Sequence, residues 1–359
     1  MSGSASLRVI VVGAGAFGAS IALKLAQIGA QVTLIDPAAL GDNASGVAAG
    51  MLAPAFEALL DPPSASHFPF LRAARDLWPG FVRMLGEETI GFQRSGGLWV
   101  DPADPGGLDR RLAGLEALGA DARRIAAHGV LALAPRLSAG AGEGVFTSED
   151  WRLNAGAALR AILAAAVENG VRTLKARVAE IEPGRVILEN GEWLAADSVV
   201  VATGAGPALT PEAAHLAPIK GQILTYPVAW PAWGPAVRGP GGYGLIGADG
   251  VVVGATMQAG RRDRDIELDA VADLAAWAVR LFPELALQTP RPAAGVRATT
   301  PDGLPLLGTS AIEGVYMAAG ARRNGWLLAP LAAATITAYL TGADPGPWAG
   351  MLDARRFDR

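Results

Sequence analysis

An α/β chain of two interleaved domains is the fold class this sequence predicts, and three observations predict it. The 359 residues exceed the length at which one core usually stops growing, and 51% of them are hydrophobic. The first 36 residues read as a complete strand–helix–strand unit. Farther along, proline, glycine and arginine become frequent, and short strand patterns alternate with short helical ones.

Taken in order, Arg8 to Val12 is a short apolar β-rich run, Gly13 to Gly18 a turn, and Ala19 to Ile28 a helix with Ala22, Leu25 and Ala26 on one face. Gly29 stands where a helix C-terminal glycine belongs, and Gln31 to Ile35 is a second strand ending at Asp36. Gly97–Val100 reads as a strand within the altered stretch 71–148. Leu153 to Asn169 is helical and stops at Gly170. A meander follows through Arg177–Ile181, Arg185–Leu188 and Glu192–Leu194, with Asn190-Gly191 as its hairpin turn. Ser198–Ala202 and Val315–Ala319 are buried-type strands. Gln222–Tyr226 and Val251–Val253 are further strands, Leu268–Phe282 an amphipathic helix, and Trp326–Leu340 a final helix. These elements divide into one domain from 1–75, 149–218 and 291–359, and a second from 76–148 and 219–290.

Composition removes several function classes. A net charge of −4 gives no basic face for nucleic acid. With no cysteine there is no disulfide, thiolate metal site or thiol chemistry. The three histidines, His67, His128 and His215, are far apart, so no metal site is expected. Met1 to Leu7 carries no targeting pattern, and Trp326–Leu340 is shorter than the ~20 residues that span a bilayer. The expectation is a soluble, cytoplasmic protein that neither binds nucleic acid nor enters a membrane.

Gly13-Ala14-Gly15-Ala16-Phe17-Gly18 fits GxGxxG, between a strand and a helix, with Asp36 beyond the second strand. The first glycine allows the tight turn. The second lets backbone approach a pyrophosphate, and the third lets helix and strand pack closely. Asp36 suits a ribose hydroxyl. A second match, Gly242 to Gly247, lacks a preceding strand and a following helix, and is read as a decoy. Three features favour FAD over NAD: the small-residue loop Ser45 to Met51, the strand ending Ala202-Thr203-Gly204, and the turn Arg322-Arg323-Asn324-Gly325 opening the last helix. That helix N-terminus would favour negative charge on a reduced flavin. One contextual motif leaves no second site for a nicotinamide cofactor, so electrons would pass to oxygen or another external acceptor.

With these pieces, the sequence resembles the D-amino acid oxidase and glycine oxidase family of FAD enzymes, most closely its glycine oxidase members of thiamine biosynthesis. The resemblance runs over nearly the whole chain. It rests on the N-terminal GxGxxG, Ala48-Ala49-Gly50-Met51-Leu52-Ala53-Pro54, Pro218 to Gln222, Val253 to Met257, Arg297 with Thr300 to Pro305, and Arg323-Asn324-Gly325-Trp326-Leu327-Leu328-Ala329-Pro330. It implies a Rossmann-like FAD-binding domain interleaved with an α+β substrate domain built on a mixed sheet. It also implies hydride transfer from the substrate Cα to FAD held without a covalent bond, hydrolysis of the imine to a keto acid and ammonia, and reduction of molecular oxygen to hydrogen peroxide. By position, Arg297 would bind the substrate carboxylate, with Tyr243 and Arg323 assisting; Met51, Glu57 and Met257 would line the pocket. FAD would be held by Gly13, Ala14, Gly15, Phe17, Gly18, Asp36, Ser45, Ala49, Gly50, Met51, Val178, Thr203, Gly204, Arg297, Arg323, Asn324, Gly325, Trp326 and Leu327. Two positions depart from the family pattern: Ala321 replaces a histidine common after the glycine, and Trp326 is bulkier than the usual aliphatic residue.

Taken one by one, the same residues admit plainer readings. Arg297 before a turn reads as a surface charge, Tyr243 as a partly exposed strand aromatic, Met51 and Met257 as packing, and Glu57 as a solvated helix charge. Other functions stay open: a dehydrogenase of D-amino acids or secondary amines using a non-oxygen acceptor, and a flavin-binding subunit without turnover of its own. The expected partners are a small amino acid or amine and oxygen, with a homo-oligomer left open. Bulk at Met51, Met257 and Trp326 would favour glycine and sarcosine over large D-amino acids.

Overall fold

The computed structural model describes residues 6–39, 41–230, 234–247 and 249–358. Met1–Ala5, the start of the polar N-terminal segment, lie outside these.

One sheet has six strands in the order Leu306–Thr309, Val315–Ala319, Ser198–Val201, Arg8–Val12, Gln31–Ile35 and Arg172–Leu174. All neighbours are parallel except the first pair. Its central strands are apolar on both faces, as a sheet covered on both sides requires. Helices Ala16–Gln27, Ala155–Glu168 and Gly325–Thr341 bury one face, through Ile21, Leu25, Leu159, Ile162, Leu328 and Ile336. The other face packs on the antiparallel meander Val178–Glu182, Arg185–Leu188 and Trp193–Ala195. Asn190-Gly191 makes its hairpin turn, with Gly191 at φ +84°.

A second, mixed sheet has nine strands. Eight follow in the order Gln258–Ala259, Ala217–Tyr226, Gly250–Gly254, Gly242–Gly247, Ala236–Gly239, Gly97–Val100, Gly144–Thr147 and Ala122–Ile125. Arg291–Thr299, the ninth, pairs antiparallel with Ala217–Tyr226 along its length. The segments 76–148 and 219–290 supply most of this sheet, and Arg291–Thr299 joins it from the C-terminal stretch.

The supposed decoy lies in this sheet. Gly242–Gly247 is itself a strand, and a strand does precede it, Ala236–Gly239. Its glycines answer a packing demand: a Cβ on Gly242 would lie 3.0 Å from the Trp277 ring, and one on Gly244 2.6 Å from Phe282. Those rings belong to helix Leu268–Leu281 and its C-cap, so the motif is shaped by a helix lying across the strand.

Alternation along these strands sorts the two faces. Leu98, Val100, Val237, Leu224 and Val253 enter a core with Leu274, Trp277 and Phe282. The intervening residues Trp99, Arg238 and Ile223 turn the other way, toward a cavity. No helix among the described residues is long and apolar enough to cross a membrane.

Candidate active site

At the C-terminal end of Arg8–Val12, Gly13 turns with φ +107°, and a Cβ there would stand 2.7 Å from the Ala202 carbonyl carbon. A Cβ on Gly18 would run into the Gly13 carbonyl oxygen, so loop and helix touch backbone to backbone. Gly15 is the N-cap of helix Ala16–Gln27, which has no side-chain cap and no acid in its first turn. Asp36 accepts hydrogen bonds from the backbone N–H of Ala14 (2.7 Å) and Ala38 (2.8 Å), and Ser45 Oγ accepts from Ala16 N–H (2.9 Å). Asp36 therefore braces the loop. A helix start with no acid in its first turn, above a turn of glycines and alanine, fits the pyrophosphate of a dinucleotide.

The cavity lies between this sheet and the mixed one, and measures about 410 Å³. Of the residues expected from sequence, it gathers Ala49, Gly50, Met51, Glu57, Tyr243, Met257, Arg297, Arg323, Asn324 and Trp326. The others stand outside its wall. Gly13, Ala14, Gly15, Phe17 and Gly18 belong to the glycine turn and its helix, and Asp36 follows strand Gln31–Ile35. Val178 is in the meander, Thr203 and Gly204 follow strand Ser198–Val201, and Gly325 and Leu327 begin the last helix, with Leu327 in the core.

Space in the sheet floor is made by glycines. A Cβ on Gly221 would lie 2.5 Å from Arg297 Nη2 and 2.6 Å from its Cζ, so the guanidinium occupies the volume a side chain would take. A Cβ on Gly254 would lie 2.6 Å from Tyr243 Cζ; the ring lies over that glycine, its register partner. Arg297 has only long contacts to the Thr256 carbonyl and Met257 sulfur, both 3.4 Å, and no carboxylate at ion-pair distance among the described residues. Burial, with repulsion from Arg323, pushes its pKa down. Burial pushes the Tyr243 hydroxyl up, against the pull of nearby arginines, so it remains a donor at neutral pH.

Glu57 is buried, not solvated. Its carboxylate meets Arg238 Nη2 at 2.9 Å and Arg323 Nε at 2.9 Å. Burial opposes its charge, but Arg323 and Arg238 outweigh that and hold its pKa below the ordinary value. Arg322 stands at φ +50°, clamped by Asp61 at 2.8 and 3.0 Å, and so shapes the turn that delivers Arg323. The last helix then starts at Asn324 with no side-chain cap. Trp326 is buried, and its indole N–H donates to the Ser45 carbonyl at 3.0 Å.

Two residues escaped the sequence reading. Arg238 lines the cavity, and the only signal was a lone charge in the apolar strand Ala-Val-Arg-Gly. Asp150 is buried near it, accepting from Ala55 N–H at 2.9 Å. Burial pushes its carboxyl up to about 7. It had no sequence signal.

A family described as FAD dependent oxidoreductase (DAO) matches residues 8–340. The glycine oxidase of Geobacillus kaustophilus (strain HTA426) is 29% identical over 341 residues, 90% of each chain. Among solved structures, glycine oxidase from Geobacillus kaustophilus superposes with a TM-score of 0.83 at 25% identity, covering 98% of this chain and 99% of that one. Iminodiacetate oxidase from Chelativorans sp. BNC1 gives 0.84 at 25% identity, covering 96% and 98%.

Proposed function

Because the chain belongs to the DAO family of FAD-dependent oxidoreductases, we propose that it oxidises the C–N bond of a small amino acid or secondary amine, with glycine and sarcosine foremost. The observation that carries this reading is Arg297: a guanidinium seated over Gly221 in the cavity, with no carboxylate partner among the described residues and a phenol beside it. Its planar fork suits a substrate carboxylate.

When bound, FAD would accept the Cα hydride, and with it both electrons of the oxidation. The chain's own residues do the rest. Arg297 grips the carboxylate and Tyr243 donates its hydroxyl hydrogen to the same group. Glu57, locked by Arg238 and Arg323, stays charged and keeps Arg323 in place; it is not free to serve as a base. The substrate ammonium instead loses its proton to solvent. Met51, Met257 and Trp326 restrict side-chain bulk. The start of the last helix, uncapped and acid-free at Asn324, favours negative charge there. The imine leaves for hydrolysis to the keto acid and ammonia from a primary amine, or the keto acid and a primary amine from a secondary one, with oxygen as terminal acceptor and hydrogen peroxide as its product. A place at the imine or glyoxylate step of thiamine thiazole synthesis is carried over from the resemblance.

The test is anaerobic bleaching of the purified yellow protein by glycine, sarcosine, D-alanine and D-phenylalanine, followed by air. Glycine and sarcosine should bleach fastest, and air should restore the colour with release of peroxide. No bleaching by any small amine would end this reading. D-phenylalanine as the best of the four would replace it with general D-amino acid oxidation. Recolouring by a quinone but not by air would make the enzyme a dehydrogenase.

A further inference from the structure

We propose that Arg238 forms a second anion site in this cavity, so that among amino or imino acids larger than glycine and sarcosine those bearing a second acidic group are taken in preference to neutral ones of the same shape. The inference rests on the reading above, in which Arg297 takes the first carboxylate.

Strand register supplies the geometry. Trp99, Arg238, Tyr243, Gly254 and Ile223 are successive cross-strand partners, so they form one row on the cavity face. Arg297 enters from the far end of that row, its guanidinium over Gly221, on the same strand as Ile223. Arg238 and that strand are three strand spacings apart, roughly 14 Å at ~4.8 Å per spacing. Two guanidiniums therefore converge on one cavity from its two ends, with Tyr243 between them.

Charge points the same way. Arg238, Arg297 and Arg323 line the cavity, and among the described residues Glu57 is the one carboxylate lining it, shared by Arg238 and Arg323. A substrate with one carboxylate leaves an arginine in surplus. Asp150, behind the wall, offsets that surplus only in part, since burial raises its pKa to about 7. Arg238 meets Glu57 at 2.9 Å and the Met51 sulfur at 3.3 Å through the same nitrogen, Nη2, and a guanidinium offers five N–H groups. A second anionic group on the substrate offsets the surplus charge.

The experiment compares kcat/KM of the holoenzyme for acid and neutral partners of similar shape: N-(carboxymethyl)glycine against N-propylglycine, and D-aspartate against D-asparagine. The acidic member of at least one pair should lead by about tenfold or more, the scale of one charge-assisted contact. In Arg238→Gln, with flavin content matched, that ratio should collapse toward one. If Arg238→Gln does not fold, inhibition of the parent enzyme decides: malonate or succinate should act at about a tenth of the concentration of propionate or butyrate. Neutral amines turned over as well as acidic ones, or a ratio that survives Arg238→Gln, would overturn the proposal while leaving amine oxidation standing. Failure of every amine to bleach the flavin would take down both.

Discussion

Replacing Gly221 with alanine tests the placement of Arg297 without touching Arg297. The new Cβ would stand 2.5 Å from Nη2 and 2.6 Å from Cζ. Ordinary heavy-atom contact is ~3.5 Å or more, so the guanidinium must retreat by about 1 Å. The displaced atoms are the flexible end of one side chain, so folding and flavin content should hardly change. Substrate use should suffer, because misplacement of a positioning group by ~1 Å costs up to about 100-fold. We expect kcat/KM for glycine or sarcosine to fall about 10- to 100-fold, less than for outright loss of the contact. The assay is steady-state amine oxidation normalised to the visible flavin band, with a thermal melt as the folding control. A Gly221→Ala enzyme within twofold of the parent would mean that Arg297 does not hold the substrate.

Further outcomes follow from the same geometry. Arg297→Ala should lower kcat/KM by roughly 30-fold to several thousand-fold, from a contact worth about 2–5 kcal/mol, while flavin content measured at 450 nm stays near that of the parent. Gly18→Ala should strike the fold itself, because its Cβ meets the Gly13 carbonyl; a lower melting temperature and lost flavin are expected, and a fully yellow, equally stable variant would contradict the loop packing. Asp150 contributes stability as a neutral group, fully present below about 3.8 and lost as pH rises through about 7. The melting temperature should therefore drop between pH 5 and 8 more steeply in the parent than in Asp150→Asn, and parallel curves would speak against it. With no cysteine in the chain, acid treatment should release all flavin into the filtrate, and colour retained on the denatured protein would show a covalent bond.

Much of the frame was legible because its signals are local. The strand–glycine turn–helix, the Asn190-Gly191 hairpin and the C-terminal helix each declare themselves within a few residues, through periodicity and turn chemistry. The cavity residues came from motif resemblance, and the structure does bring Met51, Glu57, Tyr243, Met257, Arg297 and Arg323 into one wall. The strands Ala236–Gly239 and Gly242–Gly247 were not legible, because glycine at their positions looks like a loop until the aromatic rings of helix Leu268–Leu281 and its C-cap are laid across it.

By itself, then, the sequence determined the dinucleotide turn, the strands and helices around it and the types of side chain available to the site, since each depends on neighbours along the chain. Only the tertiary structure decided what those side chains face. Glu57 meets Arg238 and Arg323 across 181 and 266 residues, Arg297 finds its room in a glycine on another strand, and Asp150 owes its raised pKa to burial. Charge pairing, desolvation and free volume are properties of surfaces brought together by folding, and no pattern read along one segment contains them.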